Sequence, residues 1–475
     1  MKKYIAFFAL ATALFTAGCS LDRIPLTGPS TGTFPASFDE AQAGVLAAYK
    51  SLANNIEQYE PFPNRWMDQL TDIGAMRTVL SKWPDYTQST ITSSYSGVEH
   101  FYARIYKSLG RIHLVLDNLD NLRGKIEDEE YYRFKAELLC LRAYFYDWAC
   151  KVYGDVPFID HCLTLDDYAY ARTPKAEVID RIIKDMDNEL IDHLPVSWGS
   201  QTWGTARIGR VAAYALKARI CLEWGFFESA ARCSKRALEL ADGVYDLTPL
   251  DCTYYATHAE GEPDPTPLFG FAAETGSKEW IWAIQFNRLA ASNTHTGIYT
   301  GTSRVHNGAA GAGPSMAMMD TFQCTDGKPI TESPLYDWQN PWANRDPRLD
   351  LFCLRPDTRL WGVQYDTDVR VEKVKDYNQS TAGKEVLISN ADAVGNKSEY
   401  AANGSKGPGG YLWRKYSDKG MMGLVNGTKT EDDINAGIIR FAELLLIEAE
   451  ANIEWDGGDL AIAEANINRV RARVN

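Results

Sequence analysis

Apolar residues recur at steps of three and four positions in several separate stretches of the chain, and this spacing predicts amphipathic helices. One such stretch begins at Tyr131 and ends at Gly154. Its large apolar residues would form one face: Phe134, Leu138, Leu141, Phe145 and Trp148. Acidic residues 127–130 suit the positive end of a helix dipole, Gly154 permits a helix-ending turn, and Pro157 stops the helix from resuming. We therefore expect a central helix against which other helices pack.

The same periodicity predicts helices on both sides of this central one. The first begins near Ser37, which forms a capping-box pattern with Glu40. Another is expected over residues 101–122. Further along, Thr173 is the predicted N-cap of a helix that has Pro174 at its first position. The apolar stripe of that helix would comprise Val178, Ile182, Met186 and Leu190.

Two later stretches each predict a pair of helices joined by a break that contains glycine. The first pair spans residues 210–241 and breaks at Gly225, and the second spans 437–474 and breaks at Gly457. Residues of the first pair fall at spacings similar to those of a tetratricopeptide repeat (TPR): Ala218, Gly225, Phe227, Ala230 and Ala237. The apolar positions of the second pair are Ile438, Ala442, Leu445, Ala449, Ile453, Ala463 and Val470. The predicted fold is therefore mostly α, a TPR-like superhelix of helical pairs.

Between Thr248 and Thr430 the helical periodicity disappears. Short apolar runs, such as the strand-like run from Trp280 to Ile284, alternate with segments rich in Gly, Pro, Asn and Thr. A long irregular segment inside a folded chain usually carries function, and its aromatic residues argue against disorder. We expect this loop-rich insertion to form the ligand surface, with Trp280 and Trp282 in the core.

The N-terminus has the features of a secretory signal. Two lysines precede an apolar run over residues 4–15, which is shorter than the roughly 20 residues that a membrane span needs. The run leads into Ala17-Gly18-Cys19, typical of a bacterial lipobox, although Thr16 stands where Leu is commoner. We predict a signal peptide over residues 1–18, cleavage before Cys19 and lipidation of that cysteine. An ordinary signal with a chance cysteine is the alternative.

The residues after the signal divide into a tether and a folded part. Residues 19–36 are rich in Pro, Gly, Ser and Thr, a composition suited to spacing a domain from a bilayer. Residues 37–475 form the predicted binding domain, and residues 248–430 are its ligand-binding part.

Composition and charge narrow the class of partner. The 475-residue chain has a formal net charge of −14 and no run of Lys or Arg, so it lacks the basic surface that nucleic acid binding requires. Its 13 Trp, 25 Tyr and 18 Phe make it rich in aromatic residues, which fits a binding surface. We predict no nucleic acid partner.

Motifs of catalysis and cofactor binding are missing from the sequence. It has no P-loop, GxSxG, HExxH or dinucleotide-binding glycine motif, and its 7 His show no ligand spacing. The cysteines after Cys19 form no CxxC, so we expect no zinc site and mostly free, buried thiols. No metal or cofactor is predicted. A hydrolytic pair of carboxylates stays an open alternative, because the fold and not the sequence spacing sets the distance between two such groups.

Several short motifs follow one another along the chain: 142–144 with 153–157, 172–174, 209–211 with 213–219, 344–349, 440–451 and 468–473. Together with the lipobox they resemble, in order, the landmarks of the SusD/RagB family. These are lipid-anchored outer-membrane nutrient-binding proteins of Bacteroidetes-type bacteria. We expect the turn over residues 344–349 to be structural, braced by Arg345 and Arg348. Family members usually continue with a Glu-Arg-rich helix that this sequence lacks, so we expect a C-terminal truncation.

The resemblance implies a cell-surface glycan-binding lipoprotein without catalysis. It would capture oligosaccharide or polysaccharide and deliver it to a SusC-like TonB-dependent transporter in the outer membrane. The TPR-like helices would face the transporter, because nested helix pairs give a broad concave surface.

Sugar binding requires flat aromatic faces that stack on pyranose rings, together with amides, hydroxyls or arginines that bind the sugar hydroxyls. Two loop stretches supply both, in regions where family members contribute ligand contacts. The candidate ligand-binding residues are Trp83, Tyr86, His295, Tyr299, Arg304 and Asn307.

Three alternatives stay open at this point. The protein could bind peptides, as some relatives do, or it could be a lipid-anchored glycoside hydrolase with a carboxylate pair in the loop region. A purely structural TPR adaptor is the third, and it predicts that Trp83 and Tyr299 are buried.

Overall fold

The computed structural model describes residues 34–53, 71–76, 92, 96–164, 167, 169–199, 206–250, 266–270, 273, 276–287, 301–393, 410–423 and 434–473. Its helices are α1 Phe38–Ala53, α2 Ser96–Leu116, α3 Asp128–Tyr153, α4 Lys175–Asp185, α5 Asn188–Ile191, α6 Arg210–Glu223, α7 Phe227–Ala241, α8 Thr266–Phe269, α9 Met316–Thr321, α10 Arg348–Phe352, α11 Phe441–Glu454 and α12 Leu460–Ala472. Its strands are β1 Gly74–Met76, β2 Trp280–Ile284, β3 Ala312–Pro314, β4 Cys353–Leu354, β5 Thr358–Leu360, β6 Val363–Tyr365, β7 Lys373–Lys375, β8 Leu387–Ser389, β9 Leu412–Trp413 and β10 Ala436–Arg440. Among these helices, none has both the length and the apolar character needed to cross a bilayer. The predicted signal peptide and Cys19 lie outside the described residues.

Helix α3 is the centre of the helical part, as its sequence pattern predicts. It ends at Gly154, whose φ of 71° is the left-handed value that favours glycine. From Ala136 to Cys150 every residue except Trp148 is buried. The prediction of a single apolar face is wrong for this segment, because α1, α2, α4 and α6 all pack against it.

The burial of α3 includes a charged residue, Glu137. Its carboxylate accepts a hydrogen bond from the Tyr49 hydroxyl at 2.8 Å and two from the Arg207 guanidinium at 2.5 and 3.0 Å. Desolvation raises the pKa of Glu137, and the charge of Arg207 opposes that shift. Because Tyr49 lies in α1 and Arg207 precedes α6, the Glu137 carboxylate connects three parts of the core.

N-cap signals in the sequence predict one helix start correctly and another wrongly. At α1, the Ser37 hydroxyl accepts a hydrogen bond from the amide of Glu40 at 3.3 Å, as the predicted cap requires. The prediction for Thr173 is wrong, because its backbone pairs with that of Val156 and the helix begins two residues later, at Lys175.

Two helices predicted as continuous are interrupted. Helix α2 ends at Leu116, and the remaining predicted residues include a separate 3₁₀ helix, Leu119–Leu122. Helix α4 ends at Asp185, and α5 then begins at Asn188. The second break has a clear local cause, since the Asp187 carboxylate accepts hydrogen bonds from the first free amides of α5.

The helical pairs form as predicted, but the second pair starts later than expected. Helix α6 packs on α7, and α11 packs on both α7 and α12. The second pair begins at Phe441, because the residues before it form β10; Ile438 therefore lies in a strand. Ile453, predicted on the apolar face, is 52% exposed. The mostly α, TPR-like fold is confirmed.

The described strands form two-stranded antiparallel sheets. One of them, β2 with β10, attaches the loop-rich part to the helical core. Trp282 of β2 is fully buried, and its ring meets that of Tyr144 on α3 edge-on at 5.3 Å. Trp282 is therefore the core residue that its strand-like run predicts, while Trp280 is only half-buried.

The turn at residues 344–349 is structural, as expected. The Arg345 guanidinium donates hydrogen bonds to backbone carbonyls, and Arg348 pairs with the Asp346 carboxylate at 2.5 Å. The described cysteines after the signal are free thiols, and all except Cys162 are buried, which agrees with the prediction.

Candidate functional site

Residues adjoining both predicted ligand-binding stretches belong to one two-stranded ribbon, formed by β1 and β3. Met76 at the end of β1 pairs with Ala312 at the start of β3, in antiparallel register. The chain therefore leaves β1 at the same end of the ribbon at which it enters β3. Trp83 and Tyr86 follow β1 shortly afterwards in the sequence.

Arg304 and Asn307 are the candidate ligand-binding residues that the structure describes. They lie in the segment that leads into β3, which we name the 301–310 loop. Arg304 is half-buried and Asn307 is exposed. The remaining candidates lie outside the described residues: Trp83, Tyr86, His295 and Tyr299.

The 301–310 loop has a compact backbone built around one 3₁₀ turn, Arg304–His306. The amide of Gly308 donates to the carbonyl of Ser303 at 3.0 Å, and Asn307 adopts a left-handed conformation with a φ of 62°. A Cβ on Gly308 would lie 2.2 Å from the carbonyl oxygen of Thr302, so the close approach of the two backbone segments requires glycine. These contacts hold Arg304 and Asn307 on a fixed backbone.

A buried carboxylate, Asp392, anchors the loop from a distant part of the chain. It accepts hydrogen bonds from the Ser303 hydroxyl at 2.5 Å, the Arg304 amide at 2.7 Å and the Val305 amide at 3.4 Å. Burial raises the pKa of Asp392, and these hydrogen bonds oppose the shift. The carboxylate therefore satisfies the hydrogen-bond donors at the start of the 3₁₀ turn.

Asp392 is a supporting residue that the sequence analysis missed. Its own amide donates to the side chain of Asn390 at 3.0 Å, and Asn390 in turn donates to the carbonyl of Val371 at 2.8 Å. The short Asn-Ala-Asp sequence after β8 signals a turn but does not identify its partner.

His306, which lies between the two candidate residues, has a structural role. Its Nε2 is 2.7 Å from the carbonyl oxygen of Leu360, and its ring lies 5.0 Å from that of the buried Trp361. This contact fixes the loop against the small core around β5 and β6. A ring nitrogen directed at a carbonyl carries its proton, so His306 acts here as a donor.

The described geometry offers binding groups and no metal centre. Within the described ranges, His, Cys, Asp and Glu side chains form no cluster that could hold a metal ion. Arg304 and Asn307 supply a guanidinium and an amide, which are hydrogen-bonding partners suited to sugar hydroxyls. The neighbouring Asp392 is buried under the loop and hydrogen-bonded to it, which suits positioning rather than proton transfer.

Two family models match consecutive parts of the chain. Residues 31–222 match a SusD-like model described as starch-binding and associating with the outer membrane. Residues 278–475 match the SusD family model.

Relatives of known description agree with these matches. The chain is 24% identical over 489 residues to a SusD-like protein P2 from Formosa agariphila, covering 100% of this chain and 82% of that relative. Its fold is similar to that of a SusD-like carbohydrate binding protein from Bacteroides fragilis, with a TM-score of 0.71, 21% identity and coverage of 93% and 79% of the two chains. A laminarin binding SusD-like protein aligns with a TM-score of 0.59 and 19% identity over 92% of this chain and 84% of that one. This chain therefore belongs to the SusD/RagB family.

Proposed function

We propose that this protein is a glycan-binding lipoprotein of the outer membrane that captures oligosaccharide or polysaccharide at the cell surface. It performs no chemistry on the glycan and delivers it to a SusC-like TonB-dependent transporter. Membership of the SusD/RagB family supports this proposal, as do a matching model described as starch-binding and a structural neighbour described as laminarin binding.

The observation that carries the proposal is the register of the β1–β3 ribbon. In this register the chain leaves β1, 7 residues before Trp83, at the same end of the ribbon at which it enters β3, 13 residues after Tyr299. A glycan site needs aromatic faces and polar side chains together, and the two stretches contain both. Asp392 fixes the backbone at Arg304 by accepting a hydrogen bond from its amide, and a fixed backbone loses less entropy when a sugar binds.

In this proposal the aromatic side chains stack on the C–H faces of sugar rings, and Arg304 and Asn307 donate hydrogen bonds to sugar hydroxyls. The lipid on Cys19 holds the protein at the membrane, since several acyl chains together anchor a protein stably. The nested helical pairs α6–α7 and α11–α12 form the surface that meets the transporter.

The test is affinity electrophoresis of the soluble protein in gels that contain laminarin, starch or other polysaccharides. We expect retarded migration in at least one gel, and loss of that retardation in Trp83→Ala, Tyr299→Ala and Arg304→Ala. Arg232→Ala is the matched control for arginine removal, because the Arg232 side chain is exposed on α7 and pairs with Glu228. Its retardation should equal that of the parent protein.

Other outcomes would redirect the proposal. Binding of peptide mixtures by calorimetry, without glycan retardation, would favour the peptide-binding alternative. Release of reducing ends from a retained polysaccharide would indicate a glycoside hydrolase. If the protein neither binds glycan or peptide nor hydrolyses a polysaccharide, the structural adaptor is the alternative that remains.

Delivery to a transporter is tested separately. The lipidated protein, solubilised from outer membranes in mild detergent, should copurify with a TonB-dependent transporter. A Cys19→Ala variant should be released from the membrane fraction. Retention of this variant in the membrane would contradict the predicted anchor.

A further inference from the structure

The aromatic side chain of Trp338, in the loop-rich part, is largely exposed. Trp338 keeps 76% of its surface accessible, although Trp is among the residues that bury the largest apolar area when they pack. It lies in a segment closed at its base by pairing of Cys324 with Arg345, which we name the 324–345 loop. The amide of Thr325 also donates to the carbonyl of Asn344 at 2.8 Å.

The other large aromatics of the 324–345 loop pack inward. The ring of Trp342 meets that of Tyr411 edge-on at 5.6 Å, and the Arg355 guanidinium lies 5.6 Å from the centre of the Trp342 ring. Tyr336 is half-buried, with the Arg345 guanidinium 5.9 Å from its ring. Trp338 therefore lies outside the small core against which Trp342 packs.

The backbone that carries Trp338 is fixed. The Asp337 carboxylate accepts a hydrogen bond from the Gln339 amide at 2.9 Å, and the Asp337 carbonyl accepts one from the Asn340 amide at 3.0 Å. Further back, the Asn344 side chain donates to the carbonyl of Leu335 at 3.1 Å. Trp338 thus sits inside a hydrogen-bonded turn, which presents the indole to solvent without the mobility of an open loop.

The base of the loop is tied to the element that follows β3. The Arg345 guanidinium donates to the carbonyls of Met319 at 2.6 Å and Phe322 at 2.9 Å, at the end of α9. Helix α9 begins directly after β3, while the 301–310 loop directly precedes β3. The 301–310 loop therefore precedes β3, and the 324–345 loop is tied to the end of the helix that follows β3.

We propose that Trp338 is an additional stacking surface for a pyranose ring of a bound polysaccharide, with the exposed side-chain amides of Gln339 and Asn340 next to it in the sequence. This inference rests on the proposed function. A glycan is favoured over a protein partner because the residues on either side, Asp337 and Gln339, are polar and exposed. A flat ring with adjacent amides is the combination that binds a sugar ring and its hydroxyls.

Separate attachment of the two loops predicts a dependence on glycan length. In this proposal a polymer contacts Trp338 and the 301–310 loop at once, whereas a disaccharide contacts one of them. Loss of Trp338 should therefore weaken binding of polymers more than binding of short oligosaccharides, because the second contact acts at high effective concentration.

The experiment compares the parent protein with Trp338→Ala, Trp338→Phe and Leu163→Ala in laminarin and starch gels. Leu163 is the control for removal of an exposed apolar side chain, since it is 48% exposed and lies between α3 and α4, outside both proposed binding surfaces. We expect Trp338→Ala to lose roughly tenfold in apparent affinity for the polymer that the parent binds, and Trp338→Phe to retain part of it. Leu163→Ala should be retarded as far as the parent.

The outcomes separate this inference from the proposed function. If the parent is retarded and Trp338→Ala is retarded equally, the role of Trp338 is refuted while glycan binding stands. Equal glycan retardation together with loss of transporter copurification would also refute it, in favour of a protein contact. If the parent is retarded in no gel, glycan binding fails and this inference fails with it. An unchanged melting temperature of Trp338→Ala would show that any loss is not a loss of folding.

Discussion

The carboxylate of Asp392 accepts a hydrogen bond from the backbone amide of Arg304 at 2.7 Å, across 88 residues of sequence. The same carboxylate binds the Ser303 hydroxyl at 2.5 Å, so one buried acid satisfies the start of the 3₁₀ turn in the candidate site. The rigidity of the 301–310 loop therefore depends on a residue far outside it.

Replacement of Asp392 by alanine should loosen this loop. The variant leaves the Ser303 hydroxyl and the Arg304 amide without their acceptor, and we expect a loss of roughly 1–3 kcal/mol in the free energy of unfolding. Hydrogen exchange at the amides of Arg304 and Val305 should accelerate. The exposed Asp456→Ala is the control and should change stability by less than about 0.5 kcal/mol. Unaltered exchange at both amides would contradict the anchoring role.

Removal of Arg207 should destabilise the helical core. Arg207→Met takes away the guanidinium that donates to Glu137 at 2.5 and 3.0 Å, and the remaining carboxylate is fully buried. Breaking a buried ion pair in this way costs roughly 3–5 kcal/mol. Urea denaturation should show this loss, and adding Glu137→Gln to the variant should recover part of it.

The control for this prediction is an exposed ion pair. Arg232 lies 2.5 Å from Glu228 on α7, and both side chains are more than half exposed. Arg232→Met should cost less than about 1 kcal/mol, because solvent screens such pairs. Equal losses for Arg207→Met and Arg232→Met would mean that the buried pair has no special role.

The helical part of the fold follows from local sequence patterns, and the exceptions follow from distant partners. The stripe on α3 identifies a helix, but it does not reveal that Glu137 is buried, since its partner Arg207 lies 70 residues further along. Likewise, Ile438 continues the apolar pattern of α11, yet pairing of β10 with β2 makes its segment a strand. Local propensity yields to tertiary contacts in both cases.

The candidate site is harder to predict from the sequence than the fold is. The residue types at Arg304 and Asn307 suit sugar binding, but residue type alone does not reveal a supporting acid such as Asp392. The exposure of Trp338 is likewise not predictable from sequence, because no local pattern distinguishes this residue from the inward-packed Trp342 four positions later. Exposure is a property of the folded chain.

Stability should depend on pH through His113. The side chain of this residue is 1% exposed, and its Nδ1 lies 3.6 Å from the Asp117 carboxylate. Desolvation, with a further contribution from the nearby charge of Arg142, lowers the pKa of His113 from 6.5 to about 4. The unfolded chain therefore takes up a proton as pH falls below 6.5 while the folded chain does not, so acid favours unfolding.

We expect the free energy of unfolding to fall by up to about 3 kcal/mol between pH 6.5 and pH 4 on account of this residue. His113→Leu removes the titrating group, and its stability should vary less with pH over that interval. Chemical denaturation of both proteins at several pH values measures the difference. Identical pH dependence in the parent and the variant would exclude His113 as the cause.

Substitution of Gly437 should disrupt the sheet that joins the loop-rich part to the helices. A Cβ at Gly437 would lie 1.5 Å from the Trp280 indole, so alanine forces the ring or strand β10 to move. Overpacking of this kind costs roughly 1–3 kcal/mol, and the melting temperature of Gly437→Ala should fall accordingly. Gly110 on α2 is the matched control, because a Cβ there meets no atom within 4 Å. Alanine at a helical position of this kind should stabilise the protein by about 0.5–1 kcal/mol, so the two Gly→Ala changes should shift the melting temperature in opposite directions. A shift of the same sign in both variants would contradict the close packing of Trp280 on β10.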